Sequence, residues 1–314
     1  MHERRPHRIH PQRRSDFPVN ANGAHENNDA PATANLNLKV FVSPTNPIGK
    51  TGLTFSPTTS SLIYGEREVV LVDAQYLKRD VADLADTIDA LDRTLTTIFI
   101  THGHADHYFG IGELVQRFPG VRVVSTREVV ADIAVHGAEQ EEAFSAWFGD
   151  DLVMPTTPLE PLDEDGFTIE GHRLNVLPVD QADMSPVAAL HVPQLDAVIA
   201  GDLAYNGIHQ YLAATGPDEW VRWAASVDAV AALQPKIVVA GHRKPEASDH
   251  DGAAILANTR EYLRDFTRLA AQVATAPELI EAMQARYPDH GNPATLMVSA
   301  QHAKSADVVD PARP

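Results

Sequence analysis

The chain has 314 residues, 44% of them hydrophobic, with 43 acidic against 25 basic side chains and a formal net charge of -18. That length and apolar content suffice for one large core or two small ones, while the acidic balance disfavours a polyanionic partner such as nucleic acid. The sequence holds no cysteine, which excludes disulfides, thiolate metal sites and a Cys nucleophile; any transition metal must be held by His, carboxylate or amide donors.

Residues 1–36 are rich in Arg, His, Pro and Asn, nearly free of periodic apolar residues, and read as a disordered tail. "RRSDF" resembles a twin-arginine export signal, but no apolar stretch follows it. No run of about 18 apolar residues occurs, so no membrane span is expected. The expectation is a cytoplasmic protein.

From residue 37 the β-branched runs "LKVFVSP", "SSLIYG" and "EVVLVDA" predict strands. "LKRDVADLADTIDAL" predicts a covering helix with Leu77, Val81, Leu84 and Ile88 on one side. "LTTIFITHGHADH" then runs a buried-type strand straight into His102, His104, Asp106 and His107. The alternation continues through "VRVVS", a helical stretch from about Glu128 to Phe148, and the strands "FTIEG", "RLNVLPV", "VAALHVP" and "DAVIAGD". An amphipathic helix, "DEWVRWAASVDAVAAL", precedes the strand "KIVVAGH", and the remainder is mostly helical until a frayed extension over 291–314. This order predicts an α/β (α+β) fold of two sheets packed face to face and covered by helices.

In an extended segment residues two apart point the same way, so His102 and His104 can converge on one ion. Asp106 and His107, beyond a tight turn, can face a second. Imidazole and carboxylate donors suit Zn²⁺, one or two per chain, with Mn²⁺ or Fe²⁺ as alternatives. The plainer reading, a polar loop with exposed histidines, fits poorly with four ligand-type residues at the end of a buried strand.

"HGHADH" is similar to the HxHxDH motif of the metallo-β-lactamase fold hydrolases, and the resemblance spans a domain of about residues 37–290. Two further motifs follow in that family's order. In "VIAGDLAYN", Asp202 matches the carboxylate that bridges two metals; in "IVVAGHRKP", His242 matches the last ligand. The resemblance implies a four-layer αββα sandwich of two mixed sheets. It also implies a metal-dependent hydrolase in which a metal-held hydroxide attacks an ester, lactone, thioester or lactam of a small-molecule substrate, with Asp106 as both ligand and proton acceptor.

The chain departs from that pattern where the family carries Gly-His to complete the first metal site. Here the segment is "VLPVDQADMSPVAALHVP", and counting back from "LHVP" puts Asp180 and Gln181 in place of Gly-His. Gln181 is the expected ligand, through an amide oxygen weaker than imidazole, and the first site is expected to be loose. Asp180 or Asp183 could serve instead; His191 lies in a strand and suits the role poorly. Within "LAYNGIHQYL", Tyr205 and His209 are candidate catalytic donors to a developing oxyanion, or else core aromatics of a capping loop. Two other functions stay open, a mononuclear iron oxidoreductase of the same fold and a non-catalytic binding protein with an impaired site.

Overall fold

The computed structural model describes residues 35–154, 159–163 and 165–305. Most of the expected tail lies outside the described residues, and its last residue, Leu36, is buried at 4% exposure in the core between the sheets. The ordered domain therefore begins before residue 37.

The first half comprises β1 (Asn37–Val42), a small hairpin of β2 (Asn46–Pro47) and β3 (Thr54–Phe55), β4 (Thr59–Tyr64), β5 (Glu68–Val72) and α1 (Lys78–Asp89). It continues with β6 (Thr94–Phe99), α2 (Ala105–Tyr108), α3 (Ile111–Arg117), β7 (Arg122–Ser125), α4 (Arg127–Phe148) and β8 (Glu160–Pro161). The second half holds β9 (Gly166–Ile169), β10 (His172–Val179), β11 (Val187–Val192), β12 (Ala197–Asn206), α5 (Pro217–Ala231) and β13 (Ile237–Arg243). It closes with α6 (Gly252–Gln272), α7 (Ala276–Arg286) and α8 (Pro293–Ala303). One sheet has the order β1-β4-β5-β6-β7-β8 and the other β13-β12-β11-β10-β9. Both are mixed: β5 to β8 run parallel beside an antiparallel pair, and β12 and β13 pair in parallel beside an antiparallel meander.

The layering follows from the side-chain period of two. In β5, Val70 and Val72 join the core between the sheets, while Val69 and Leu71 face the core under α1. In β11, Ala188 and Leu190 face inward, while Val187 and Ala189 join the core under α5 and α6; β13 divides Val239 from Val238 and Ala240 in the same way. Both faces of each sheet are thus covered, which is why these strands read as unbroken apolar runs. The fold is the four-layer αββα sandwich.

Helix boundaries answer to local chemistry. α1 buries Val81, Leu84 and Ile88 of the expected stripe, together with Ala85. α4 starts where the Thr126 side chain accepts from the Val129 N–H, satisfying a donor that a helix start leaves open. No helix among the described residues is long and apolar enough to cross a membrane.

The C-terminal expectation needs correction. Residues 293–303 are not frayed but form α8, which buries Ala294, Leu296, Ser299, Ala300 and Ala303. The Ser299 hydroxyl accepts from Leu212 N at 3.0 Å, and Lys304 Nζ donates to the Val273 carbonyl at 2.7 Å. Small residues gave this helix little apolar signal, although they let it pack closely. Leu296 has no exposed surface, so Leu296→Ala should destabilise the fold by about 2–5 kcal/mol. A denaturant midpoint indistinguishable from the parent protein would show that α8 is not part of the cooperative unit.

Candidate metal centre

The two sheets meet at one edge of the sandwich, and there the strand ends deliver the polar side chains. After β6 the chain stays extended through His102, which bridges to Val187, and the Ala188 N–H donates to the Thr101 carbonyl at 2.9 Å. His104 is also extended, at φ -77° and ψ 136°, and immediately precedes α2, whose first turn carries Asp106 and His107. From the other sheet come Asp202 within β12 and His242 near the end of β13. The β12–β13 register shifts on both sides of Gly201, whose φ of +53° marks a bulge that re-aims Asp202.

The donor atoms lie in two adjoining groups. His102, His104, Asp183 and Asp202 form one, and Asp106, His107 and His242 the other, with the atoms of each group within 4.8 Å of one another. In the first, His102 Nε2 is 3.2 Å from His104 Nδ1, His104 Nδ1 is 3.1 Å from Asp183 Oδ2, and His102 Nε2 is 3.8 Å from Asp202 Oδ2. In the second, His107 Nε2 is 3.2 Å from Asp106 Oδ2, and His242 Nε2 is 3.5 Å from the same oxygen. Asp202 also reaches this group, Oδ1 lying 3.3 Å from His107 Nε2 and Oδ2 3.2 Å from His242 Nε2. One carboxylate therefore serves both groups.

Outer hydrogen bonds fix which ring nitrogen faces inward. His107 Nδ1 donates to Asp73 Oδ2 at 2.8 Å, and His242 Nδ1 to the Pro57 carbonyl at 3.1 Å, so in each neutral ring it is Nε2 that carries the lone pair. The Thr101 hydroxyl has a single hydrogen and gives it to Asp73, 2.8 Å away. Toward His102 Nδ1, at 2.9 Å, Thr101 must therefore accept, and His102 Nε2 is also left bare. Thr58 Oγ1 donates to Asp106 Oδ2 at 2.9 Å. Supports of this type orient and strengthen metal-binding imidazoles.

The packing of carboxylates against imidazoles shifts most of these groups. Burial works against ionised imidazole at His104, yet the Asp183 carboxylate outweighs it and raises the ring to about 9. Burial likewise opposes the charged forms of His107 and His242, but Asp106 and Asp202 lift the first and Asp202 and Asp106 the second. Burial pushes Asp202 and Asp106 upward, and neighbouring His242 and His107 more than reverse it, holding both well below the usual carboxylate range. Asp183 goes the other way, to about 6, because burial prevails over His104. His102 is lowered by burial and by His107.

Of the side chains expected from sequence, the structure gathers His102, His104, Asp106, His107, Asp202 and His242 in one place. Gln181 is not directed into that cluster. Its Nε2 donates to the Ala182 carbonyl at 3.1 Å and its Oε1 accepts from Arg222 Nη2 at 2.8 Å, so the amide oxygen is already engaged. Asp183 stands by His104 instead. The count was displaced because β10 ends at Val179 and pairs with Val187, which leaves residues 180–186 as the loop and Asp183 at its middle. Asp180 lies 3.8 Å from Arg222, and His191 pairs in the sheet opposite Asn175 and Val198.

Tyr205 and His209 also have other engagements. The Tyr205 hydroxyl donates to Asp202 Oδ2 at 3.0 Å, so its hydrogen steadies the shared carboxylate rather than facing a substrate. His209 Nδ1 is paired with the Tyr262 hydroxyl at 3.0 Å, and its ring packs on His290. Asp73 and Thr101 escaped the sequence reading. The available signal was an Asp closing the apolar run "EVVLVDA", on the strand beside the one that enters "HGHADH".

Sequence comparison matches residues 53–242 to the Metallo-beta-lactamase superfamily model, more than half of the chain. The chain belongs to the metallo-beta-lactamase superfamily. A hydroxyacylglutathione hydrolase from Nitrobacter hamburgensis is 47% identical over 58 residues, which is 18% of this chain and only 22% of that relative. Among solved structures, a metallo-beta-lactamase family protein from Thermus thermophilus superposes with a TM-score of 0.57 at 20% identity, covering 82% of this chain and 92% of that one. A metallo-beta-lactamase from Pontibacter korlensis gives 0.55 at 20% identity, over 72% of this chain and 100% of the other. A Pseudomonas aeruginosa metallo-beta-lactamase solved in its mono-zinc form gives 0.52 at 16%, over 76% and 98%. At such identities the likenesses show the fold.

The metallo-beta-lactamase superfamily binds metal ions, and this cluster fits them on its own evidence. His107 Nε2, Asp202 Oδ1 and Asp183 Oδ1 are buried with no hydrogen-bond partner among the described residues. Buried atoms of this kind are costly unless something else satisfies them. Donors held about 2.0–2.1 Å from a tetrahedral ion stand about 3.3 Å apart, close to the separations here.

Two variants test the supports. Asp73 has φ +63°, a conformation that Asn tolerates, so Asp73→Asn keeps the backbone while placing an amide N–H₂ among three donors. Metal affinity should fall by about 10–100-fold with the fold preserved. Equal affinity by calorimetry would remove Asp73 from the site. At Gly241 a Cβ would sit 1.8 Å from Asp202 Oδ1 and 2.7 Å from the Gly201 carbonyl carbon. Gly241→Ala should displace the shared carboxylate and weaken both sites by at least about 10-fold; an unchanged metal content after dialysis against a chelator would refute this.

Proposed function

We propose that the protein is a metal-dependent hydrolase that cleaves an ester, thioester, lactone or lactam bond of a small substrate. The observation that carries this reading is the pair of adjoining donor groups, His102, His104 and Asp183 beside Asp106, His107 and His242, with Asp202 reaching both. Divalent ions bound there supply Lewis-acid polarisation of a carbonyl and bring the pKa of water toward about 7.

The chain's own residues set the rest. Asp106 stays ionised, because His107 and His242 offset the cost of its burial, and its carboxylate serves as the proton acceptor. Tyr205 holds Asp202 in its shared position. The His104 side chain is 16% exposed, whereas those of the other clustered residues are at most 7%. Substrate therefore approaches on the His104 side, where the Tyr211 ring stands 6.0 Å from the imidazole. The name of the Nitrobacter relative makes acyl-thioesters the first compounds to try. A binding protein with an impaired site is less well supported, because each donor group has its complement of ligands.

The test is hydrolysis of a panel of thioesters, esters, lactones and β-lactams by purified protein reconstituted with divalent metal. His104→Ala and Asp202→Ala should lower metal content and hydrolysis together, the latter by more than the about 10–100-fold that loss of an outer support costs. Turnover of no compound by protein carrying a full complement of metal would overturn the assignment.

A further inference from the structure

We propose that Asp183 is the fourth donor of the first metal site and that it raises this site's relative affinity for Mn²⁺ over Zn²⁺. The inference rests on the metal-site reading above, and not on any particular hydrolysis.

The loop is built to present this carboxylate. Residues 180–186 are closed at their base by the Val179–Val187 pair, and next to that pair His102 bridges to Val187. Gln181 N donates to Ser226 Oγ at 3.1 Å and Ala182 N to the Met184 carbonyl at 3.0 Å, which fixes the backbone on either side of Asp183. Arg222 holds the Gln181 amide oxygen, so that side chain cannot turn inward without breaking a charged hydrogen bond. The Asp183 side chain is 1% exposed, with Oδ2 at 3.1 Å from His104 Nδ1 and 3.4 Å from the Tyr205 hydroxyl. Its Oδ1 is buried with no hydrogen-bond partner among the described residues. Tyr205 has one hydrogen and donates it over the shorter path to Asp202, at 3.0 Å.

The chemical consequence lies in the donor set. With Asp183 the first site has two imidazoles and two carboxylates, and the second, counting shared Asp202, has the same composition. An imidazole in place of Asp183 would give three nitrogen donors and one oxygen. Imidazole favours Zn²⁺, whereas carboxylates suit Mn²⁺ and comparable oxygen-seeking ions. The added negative charge also makes bound ions weaker Lewis acids. Across divalent metals the raw order still places Zn²⁺ above Mn²⁺ at any such site, so the effect appears in the ratio of affinities rather than in which ion binds more tightly.

The experiment titrates metal-stripped, full-length protein with Zn²⁺ and, separately, with Mn²⁺ against a competing chelator, counting ions per chain. Thermal melting of each metal-free variant checks that it folds. Asp183→Asn, nearly isosteric, should weaken one ion's binding by at least about 10-fold for both metals. Asp183→His should keep the native number of ions and raise the Zn²⁺:Mn²⁺ affinity ratio by at least about 10-fold. Gln181→Ala should leave both stoichiometry and ratio as they were. The proposal is overturned if Asp183→Asn binds both metals as the native protein does, if Asp183→His leaves the ratio unchanged, or if Gln181→Ala loses an ion. Every readout is binding, so failure of the hydrolysis panel leaves this inference standing, and its own failure leaves the hydrolysis reading to be judged by turnover.

Discussion

Four buried carboxylates, Asp73, Asp106, Asp183 and Asp202, are packed among four imidazoles at the edge where the two sheets meet. Taking that much negative charge out of water is expensive unless cations or hydrogen bonds compensate it. Most local features at this edge respond to that constraint. Thr58, Thr101, Tyr205 and the Pro57 carbonyl each direct a donor or acceptor at a member of the cluster. Even so, three ligand atoms find no hydrogen-bond partner among the described residues.

The apolar layers make the arrangement possible. With both faces of each sheet buried, the strands are held too firmly to shift when polar groups gather at their ends. Thr59 Oγ1 donates to the Ala240 carbonyl at 2.7 Å, and Thr58 bridges to His242, tying β4 of one sheet to β13 of the other beside the site. Strain is concentrated here too. Asp73 and Gln75, both at φ +63°, hold a left-handed backbone that few non-glycine residues adopt. Gln75 anchors its side, donating to the Thr58 carbonyl and Ser60 Oγ at 3.0 and 2.9 Å.

Much of this was legible in sequence for physical reasons. "HGHADH" is contiguous, so its four donors are placed by local geometry alone, and the strand before it carries an unmistakable buried pattern. Asp202 and His242 could be found because each directly follows an apolar run within its strand. Asp183 was harder, since its position depends on where a hairpin turns, and turn length is set by cross-strand register rather than by any local propensity. Tyr205, still within β12, and His209, in the loop beyond it, both follow Asp202 closely, but which partner each finds depends on the fold, as with distant Tyr262 beside His209. α8 has few large side chains to announce it. Asp73 is a single acid at a strand end, indistinguishable from an ordinary turn until the neighbouring strand brings Thr101 beside it.

That last residue has a wider reach than its single position suggests. Asp73 grips His107 directly and His102 through the Thr101 hydroxyl, so one carboxylate anchors a ring in each donor group. The two groups therefore share a foundation beneath as well as Asp202 between them. Any displacement of the Asp73 carboxylate would reach a ring in each group, so at their base the two donor sets are mechanically one unit.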